Sequence, residues 1–304
     1  MAASIILLAS CQIDKSKWDQ CIAKSNRSNI YACSLYLDLM TDHWQGLVIN
    51  DYEAVMPLPW RRKMGIRYYY TPAFIQQLGL FGMWYAIDSP NIIKIIQAFA
   101  SYGDYMLVVG NCFPTITTIK NCTNLTIYLS NDYNSIHANY TKYLIRNLQK
   151  AASESFIYSE DENIERNINL YQSLYANRTP HVKEKDYQHF IQLCQLLSIK
   201  EKCITRKVTD RTGNLMAVAL LLKDTHRLYN IINITTEAGR RVSANHYLMD
   251  RIINEFAGTG LYFDFEGSEL PGVKRFYESF GAVNQPYYHW HFNKLPWLLR
   301  LFKK

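Results

Sequence analysis

Apolar positions along the chain change period several times, and each change marks an element. Over residues 14–23 Trp18 and Ile22 stand one turn apart with polar residues between them, which predicts a helix. Residues 31–40, 44–49 and 52–60 are rich in aromatic and branched side chains and predict strands, with Asn50 and Asp51 as a two-residue turn between the last two. A basic turn, Arg61 to Gly65, leads into a strand at 66–70. Ser89 precedes Pro90, and Ile92, Ile93, Ile96 and Phe99 then recur at helical spacing. Short apolar strands are predicted at 105–109 and 125–129, and amphipathic helices at 135–152, 161–176 and 183–197. A meander follows at 202–209, 215–223 and 227–234, then a helix at 243–256, a strand at 261–265 and a helix at 272–279. A final strand at 287–292 is expected to complete the sheet of the second half.

The order of elements repeats. A hairpin, a further strand, a helix and a short apolar strand occur at 44–109 and again at 202–265, a spacing natural for two copies of one domain. The expected organisation is therefore α/β, in two similar domains, residues 1–133 and 134–304. The chain length of 304 residues suits two domains of this size.

Composition narrows the class further. With 48% hydrophobic residues, 9 Pro and 13 Gly the chain is globular and not of a disordered type. No run approaches the roughly 18 apolar residues that cross a bilayer. The apolar stretch at 5–9 lacks a preceding Lys or Arg, so residues 4–10 read as a buried first strand and not as an export signal. Thirty-three basic against 26 acidic residues leave a net charge of +7, which favours anionic partners without naming one. Seven cysteines, Cys112 among them, form no CxxC pair, and free thiols in a cytoplasmic protein are the simplest account. His289 and His291 share one face of a predicted strand, yet no Cys, Asp or Glu stands beside them with zinc spacing. A structural or substrate-facing role is expected for them, and no metal.

The richest chemistry lies late in the chain. The strand at 227–234 runs into Thr235, Thr236, Glu237, Ala238, Gly239, Arg240 and Arg241, and a helix begins near Ser243 and Ala244. Free backbone N–H groups, a positive helix end and two guanidinium groups make a phosphate or pyrophosphate site, although capping by Ser243 explains part of the pattern. Downstream, Lys274, Arg275, Phe276, Tyr277, Glu278, Ser279, Phe280, Gly281 and Ala282 resemble the end of the cofactor-binding core in the GNAT superfamily of N-acyltransferases. The resemblance implies that the segment from Arg240 to Ala244 cradles the pyrophosphate of an acyl-CoA and that Tyr277 acts as general acid toward the departing thiolate. The family's loop pattern, Arg or Gln, two residues, Gly, one residue, Gly or Ala, is not met: three places after Arg240 stands Ser243, and after Arg241, Ala244.

The duplicated layout, the segment Asp264, Phe265, Glu266, Gly267, Ser268 and a helix carrying Arg146, Asn147 and Lys150 together resemble the FemAB and FemX branch. That resemblance implies two tandem GNAT-like domains, each a mixed, mostly antiparallel sheet flanked by helices. It also implies a transferase using acyl-CoA or, as in other relatives, aminoacyl-tRNA, with a peptide or small-molecule amine as acceptor. The acceptor is expected in the cleft between the domains.

From the residues themselves, Asp264 and Glu266 stand two apart on a predicted strand, so both carboxylates are expected to face one cleft, with Gly267 allowing close approach. Like charge would raise the pKa of one and fit it as a general base; the alternative is a helix cap or a pair with Arg275. In the first half Arg61, Arg62, Gln76 and Gln77 lie among Trp60, Tyr68, Tyr69, Tyr70 and Phe74, a set suited to stacking and hydrogen bonding with a polar acceptor. The tail, 294–304, carries Trp297, Leu298 and Phe302 among basic residues. It is expected to pack back on the first domain; weak contact with an anionic membrane surface is the alternative.

Overall fold

The computed structural model describes residues 3–83, 89–108, 119–267 and 269–300. Cys112, Ser268 and Phe302 lie outside the described residues. The chain divides into two units, residues 1–122 with 286–304, and residues 123–285. The division falls at Cys122/Thr123, earlier than residue 133, and the chain returns to the first unit at Pro286.

The first unit contains β1 (Ile5–Ala9), α1 (Lys15–Lys24), α2 (Ser34–Met40), β2 (Trp44–Ile49), β3 (Ala54–Lys63), β4 (Ile66–Tyr69), β5 (Phe81–Gly82), α3 (Ser89–Phe99), β6 (Tyr102–Leu107) and β7 (Ile119–Cys122). Asp14 caps α1 by accepting from the N–H groups of Ser16 and Lys17, and Trp18, Cys21 and Ile22 are its buried face. Residues 34–40 are helical, not a strand: Tyr36, Leu37 and Met40 fall on one buried face at helical spacing, which outweighs the strand preference of the aromatics. Strand β1 lies at the sheet edge and is only half-buried. Arg61, Arg62 and Lys63 end β3, and the turn itself is Met64 and Gly65, with φ of 49° and 82°, a pair that suits a tight hairpin.

The second unit contains β8 (Leu125–Tyr128), α4 (Tyr133–His137), α5 (Lys142–Ala152), β9 (Ile157–Glu160), α6 (Ile164–Tyr175), α7 (Glu184–Ser198), β10 (Cys203–Thr209), β11 (Leu215–Lys223), β12 (Arg227–Thr235), α8 (Glu237–Arg241), α9 (Ala244–Phe256), β13 (Tyr262–Asp264), α10 (Pro271–Glu278) and β14 (Val283–Asn284). The predicted helix at 135–152 is two helices, because Thr141 caps α5 through the N–H of Leu144. Seven of the nine residues of β11 are buried, from Met216 to Leu222, as befits a central strand covered on both faces. Leu248, Met249, Ile252 and Ile253 of α9 and Phe190, Cys194 and Leu197 of α7 supply buried apolar faces at helical spacing.

After β14 the chain forms β15 (Tyr287–Asn293) and α11 (Trp297–Arg300). Strand β15 pairs with β6 and β7 of the first sheet, so the expectation that it completes the second sheet is corrected. Trp290 and Phe292 are the reason: both are buried, and Phe292 covers Gly103, where a Cβ would stand 2.1 Å from the ring. Leu295 is buried as well, whereas Trp297 is 71% exposed. No helix among the described residues is long and apolar enough to cross a membrane.

The two sheets share a core topology. The first runs β1-β2-β3-β4-β6-β15-β7 and the second β14-β8-β13-β12-β11-β10-β9. In β2-β3-β4-β6 and in β10-β11-β12-β13 alike, two antiparallel pairings precede one parallel pairing across a helical crossover. The chain is thus a tandem α/β protein with two mixed, mostly antiparallel sheets flanked by helices.

Candidate active site

Strands β12 and β13 start side by side and part company. They pair in parallel from Arg227 with Tyr262 to Tyr229 with Asp264, where β13 ends, while β12 continues to Thr235. Beyond Tyr229 no described strand pairs with that edge of β12. A bulge lies at the fork: Asn230 faces Leu221 and Ile232 faces Leu220, leaving Ile231 as the extra residue. Asn230 is 3% exposed, and its side-chain oxygen and nitrogen both lack a hydrogen-bond partner. An unpaired buried amide costs about 1–3 kcal/mol, which folding alone does not explain.

The two carboxylates do not share a face as expected. Strand β13 stops at Asp264, and Glu266 takes φ 65° and Gly267 φ 59°, a left-handed turn that cancels the alternation of a strand. Asp264 is fully buried and surrounded by donors: Arg227 Nη1 at 2.9 Å, Asn124 Nδ2 at 3.0 Å and the Glu266 N–H at 2.9 Å. Arg227 occupies the role considered for Arg275. Asp264 holds this turn in place, and the half-exposed Glu266 emerges from it.

Tyr277 of α10 stacks on Phe265, ring centroids 4.5 Å apart and planes 24° apart. Burial, then the neighbouring Glu266 carboxylate and Tyr171, pushes the Tyr277 phenol well above the usual tyrosine range. Its proton therefore stays on the oxygen at neutral pH. The Phe265–Tyr277 stack places Tyr277 beside the turn that carries Glu266, at the carboxyl end of β13.

The expected phosphate loop contains an additional short helix, α8. Thr236 caps it by accepting from the Gly239 N–H at 3.0 Å, and Gly239 must be glycine because a Cβ there would stand 2.1 Å from the Met216 carbonyl oxygen. Arg240 donates to the Thr235 carbonyl at 3.1 Å, and Arg241 pairs with Glu237 at 2.5 Å on the surface. Ser243, at φ 59°, does not cap α9: its hydroxyl donates instead to Asn147 Oδ1 at 2.8 Å. The first turn of α9, beginning at Ala244, therefore has no side-chain cap, which preserves its positive end. Beside it stands His246, whose ring nitrogens both lack partners and whose pKa burial lowers to about 4. The ring meets Phe276 edge-on at 4.9 Å, and this contact connects α9 to the Tyr277 turn.

In the first unit, Arg61 pairs with Asp42 and lies 4.0 Å over the Tyr70 ring. Arg62 donates to the Gly65 carbonyl at 3.2 Å. Gln77 is buried and donates to Gln76 Oε1 at 2.7 Å, so it supports its own loop. Asn230 and His246 escaped sequence reading because a polar residue in an apolar run gives no sign of whether it finds a partner.

Residues 137–276 match a family model described as an acetyltransferase (GNAT) domain. No curated protein matches the sequence. Among solved structures the fold is similar to FemX, at 10% identity and a TM-score of 0.71 over 100% of both chains. It is also similar to a conserved protein of unknown function from Bacteroides thetaiotaomicron, at 12% identity and TM-score 0.62 over 91% of this chain and 96% of that one. A third likeness is the C-terminal domain of a candidate lysylphosphatidylglycerol synthetase from Agrobacterium fabrum, at 10% identity and TM-score 0.59 over 95% of each. Residues 137–276 are thus similar to an acetyltransferase (GNAT) domain, and the fold as a whole is similar to that of FemX.

Proposed function

We propose that the protein moves an acyl group from acyl-CoA to an amine, with the donor bound in the second unit at the fork of β12 and β13. The observation that supports this reading most directly is the fork itself. It offers an unpaired strand edge for an extended, amide-bearing carrier arm, a buried Asn230 amide without a partner, and the uncapped start of α9 for a phosphate. A donor amide seated against Asn230 would satisfy both of its polar atoms.

Glu266 is the proposed base and Tyr277 the proposed acid. Glu266 takes a proton from the acceptor ammonium, and the freed amine attacks the thioester carbonyl to form the new C–N bond. Backbone N–H groups of the open β12 edge stabilise the oxyanion. When the C–S bond breaks, Tyr277, held protonated by its surroundings, gives its proton to the departing sulfur, and the phenolate so formed takes the second proton from the new amide nitrogen. Asp264 and Arg227 position Glu266 and do not touch substrate. Arg61, Arg62, Gln76 and Gln77 remain proposed acceptor contacts.

Calorimetric titration with acetyl-CoA and longer acyl-CoAs tests the donor. Glu266→Gln and Tyr277→Phe should each lower kcat about 100-fold or more while leaving donor affinity and the melting temperature unchanged. Absence of binding at millimolar acyl-CoA would remove the reading. A second reading, aminoacyl-tRNA as donor, is favoured by the full-length similarity to FemX and by the lysylphosphatidylglycerol synthetase likeness. It predicts salt-dependent tRNA binding in gel shifts, because phosphate contacts release counterions.

A further inference from the structure

A second cluster, in the first unit, takes no part in the proposed transfer. On β15 His289 and His291 stand two residues apart and so face the same side, while Trp290 and Phe292 face the buried side. Strand β6 lies antiparallel beside it, with Asp104 directly opposite His291. Asp104 contacts Nε2 of His289, and one ligand atom from each of Asp104, His289 and His291 lies within 4.8 Å of the other two. All three side chains are half-exposed, so a solvent path reaches them.

We infer that Asp104, His289 and His291 form a binding site for a divalent transition-metal ion of the zinc, cobalt or nickel type. Two imidazoles and one carboxylate are borderline donors that suit these ions and match magnesium or calcium poorly. Ligand atoms around a zinc-sized ion stand about 3–3.5 Å apart at bond lengths near 2.0–2.2 Å, so small side-chain rotations close the set around one ion. The supporting shell is already built. Tyr102 holds the His291 ring edge-on at 5.1 Å, and the Thr71 hydroxyl reaches the Asp104 carbonyl at 3.4 Å. Three protein ligands leave at least one coordination position for water or for an oxygen or nitrogen of a small molecule. Lys120, opposite His289 across β7, adds a positive charge on the same face, which disfavours a bare cation and favours one that carries an anionic ligand.

The test uses the full-length protein, stripped with EDTA and dialysed. Titration with Co2+ followed by visible absorption, and with Zn2+ by calorimetry, should show one ion per chain. His289→Ala, His291→Ala and Asp104→Asn should each weaken that binding by about tenfold or more, with circular dichroism unchanged. His181→Ala, an exposed histidine elsewhere in the chain, serves as the control and should bind as before. Absence of binding at millimolar Zn2+, or binding that survives all three substitutions, would overturn the site and leave Asp104 and His289 as an ordinary hydrogen-bonded pair. Acyl-CoA binding in the second unit is measured separately, so failure of either proposal leaves the other standing.

Discussion

The two units share a four-strand order but treat its parallel pair in opposite ways. In the second, β12 outruns β13, and among the described residues no strand pairs with its edge beyond Tyr229. In the first, β4 stops at Tyr69 and β6 runs on, but Leu78 fills the gap: it bridges to Leu107, its N–H donates to the Met106 carbonyl at 2.8 Å, and its carbonyl accepts from Val108 at 2.6 Å. The same topology therefore supports an open fork in one unit and a closed one in the other. At the unbridged fork Asn230 and Asp264 are buried, with the half-buried Arg227 paired to Asp264; in the first unit a polar cluster lies instead on the sheet face at Asp104, His289 and His291. A fold of this kind does not carry its own site. The site depends on which strand stops first and what covers the gap.

The sharpest way to break the comparison is to remove one member of a polar pair on each side. Arg227→Met leaves the Asp264 carboxyl buried and without its guanidinium, and should destabilise the protein by about 3–5 kcal/mol in urea denaturation. The pair of Asp104 and His289 is far more open, with side-chain exposures of 46% and 27%. Its loss through His289→Ala should cost less than about 1 kcal/mol. Equal losses would mean that the two polar clusters have the same structural role, and the distinction between the units would fall.

Glycine substitutions sharpen it at smaller scale. Gly239→Ala drives a Cβ into the Met216 carbonyl and should cost about 1–3 kcal/mol, with loss of donor binding as α8 shifts. Gly272, near the start of α10, has nothing within 4 Å of its added Cβ. Gly272→Ala should be neutral or stabilise by about 0.4–1 kcal/mol, read as a shift in melting temperature. A harmless Gly239→Ala would show that the close approach of α8 to β11 is not what fixes the loop.

How much of this was legible beforehand divides along sequence distance. The repeat at 44–109 and 202–265 is a local pattern, and the two sheets show it as one shared strand order; the Phe276 to Ala282 motif and the Arg240 to Ala244 helix start are local too, and fall at the end of α10 and across α8 into α9. Periodicity failed where a run was ambiguous: residues 31–40 carry aromatics that suit a strand, and only burial of Tyr36, Leu37 and Met40 on one face decides for a helix. It also failed at Glu266, because a left-handed residue just past a strand leaves no mark in the hydrophobic pattern. Pairings across the chain were out of reach. Nothing near His289 announces Asp104, 185 residues away, and nothing near Asp264 announces Arg227 or Asn124. Strand β15 was assigned to the wrong sheet for the same reason, since its neighbours in sequence belong to the second unit and its partners to the first.

The mildest test is a proton. His246, half-buried between Phe276 and Tyr143, has a folded-state pKa of about 4, below the 6.5 of an unhindered imidazole, because burial penalises its charged form. Between those two values the unfolded chain binds more protons than the folded one, so stability rises with pH across the window and falls as the solution is acidified. The contribution is fully present above about pH 6.5 and is lost as pH drops toward 4. Carboxylates titrate in the same range, Asp250 among them, whose pKa burial raises and whose effect therefore has the opposite sign. The difference between wild type and His246→Gln cancels that background. Measured by urea denaturation, wild type should lose about 1 kcal/mol relative to His246→Gln between pH 7 and pH 5.5, since each unit of displaced titration is worth about 1.4 kcal/mol. Parallel curves for the two proteins would show that His246 already reaches solvent, and that its contact with Phe276 is wetter than its unpartnered nitrogens imply.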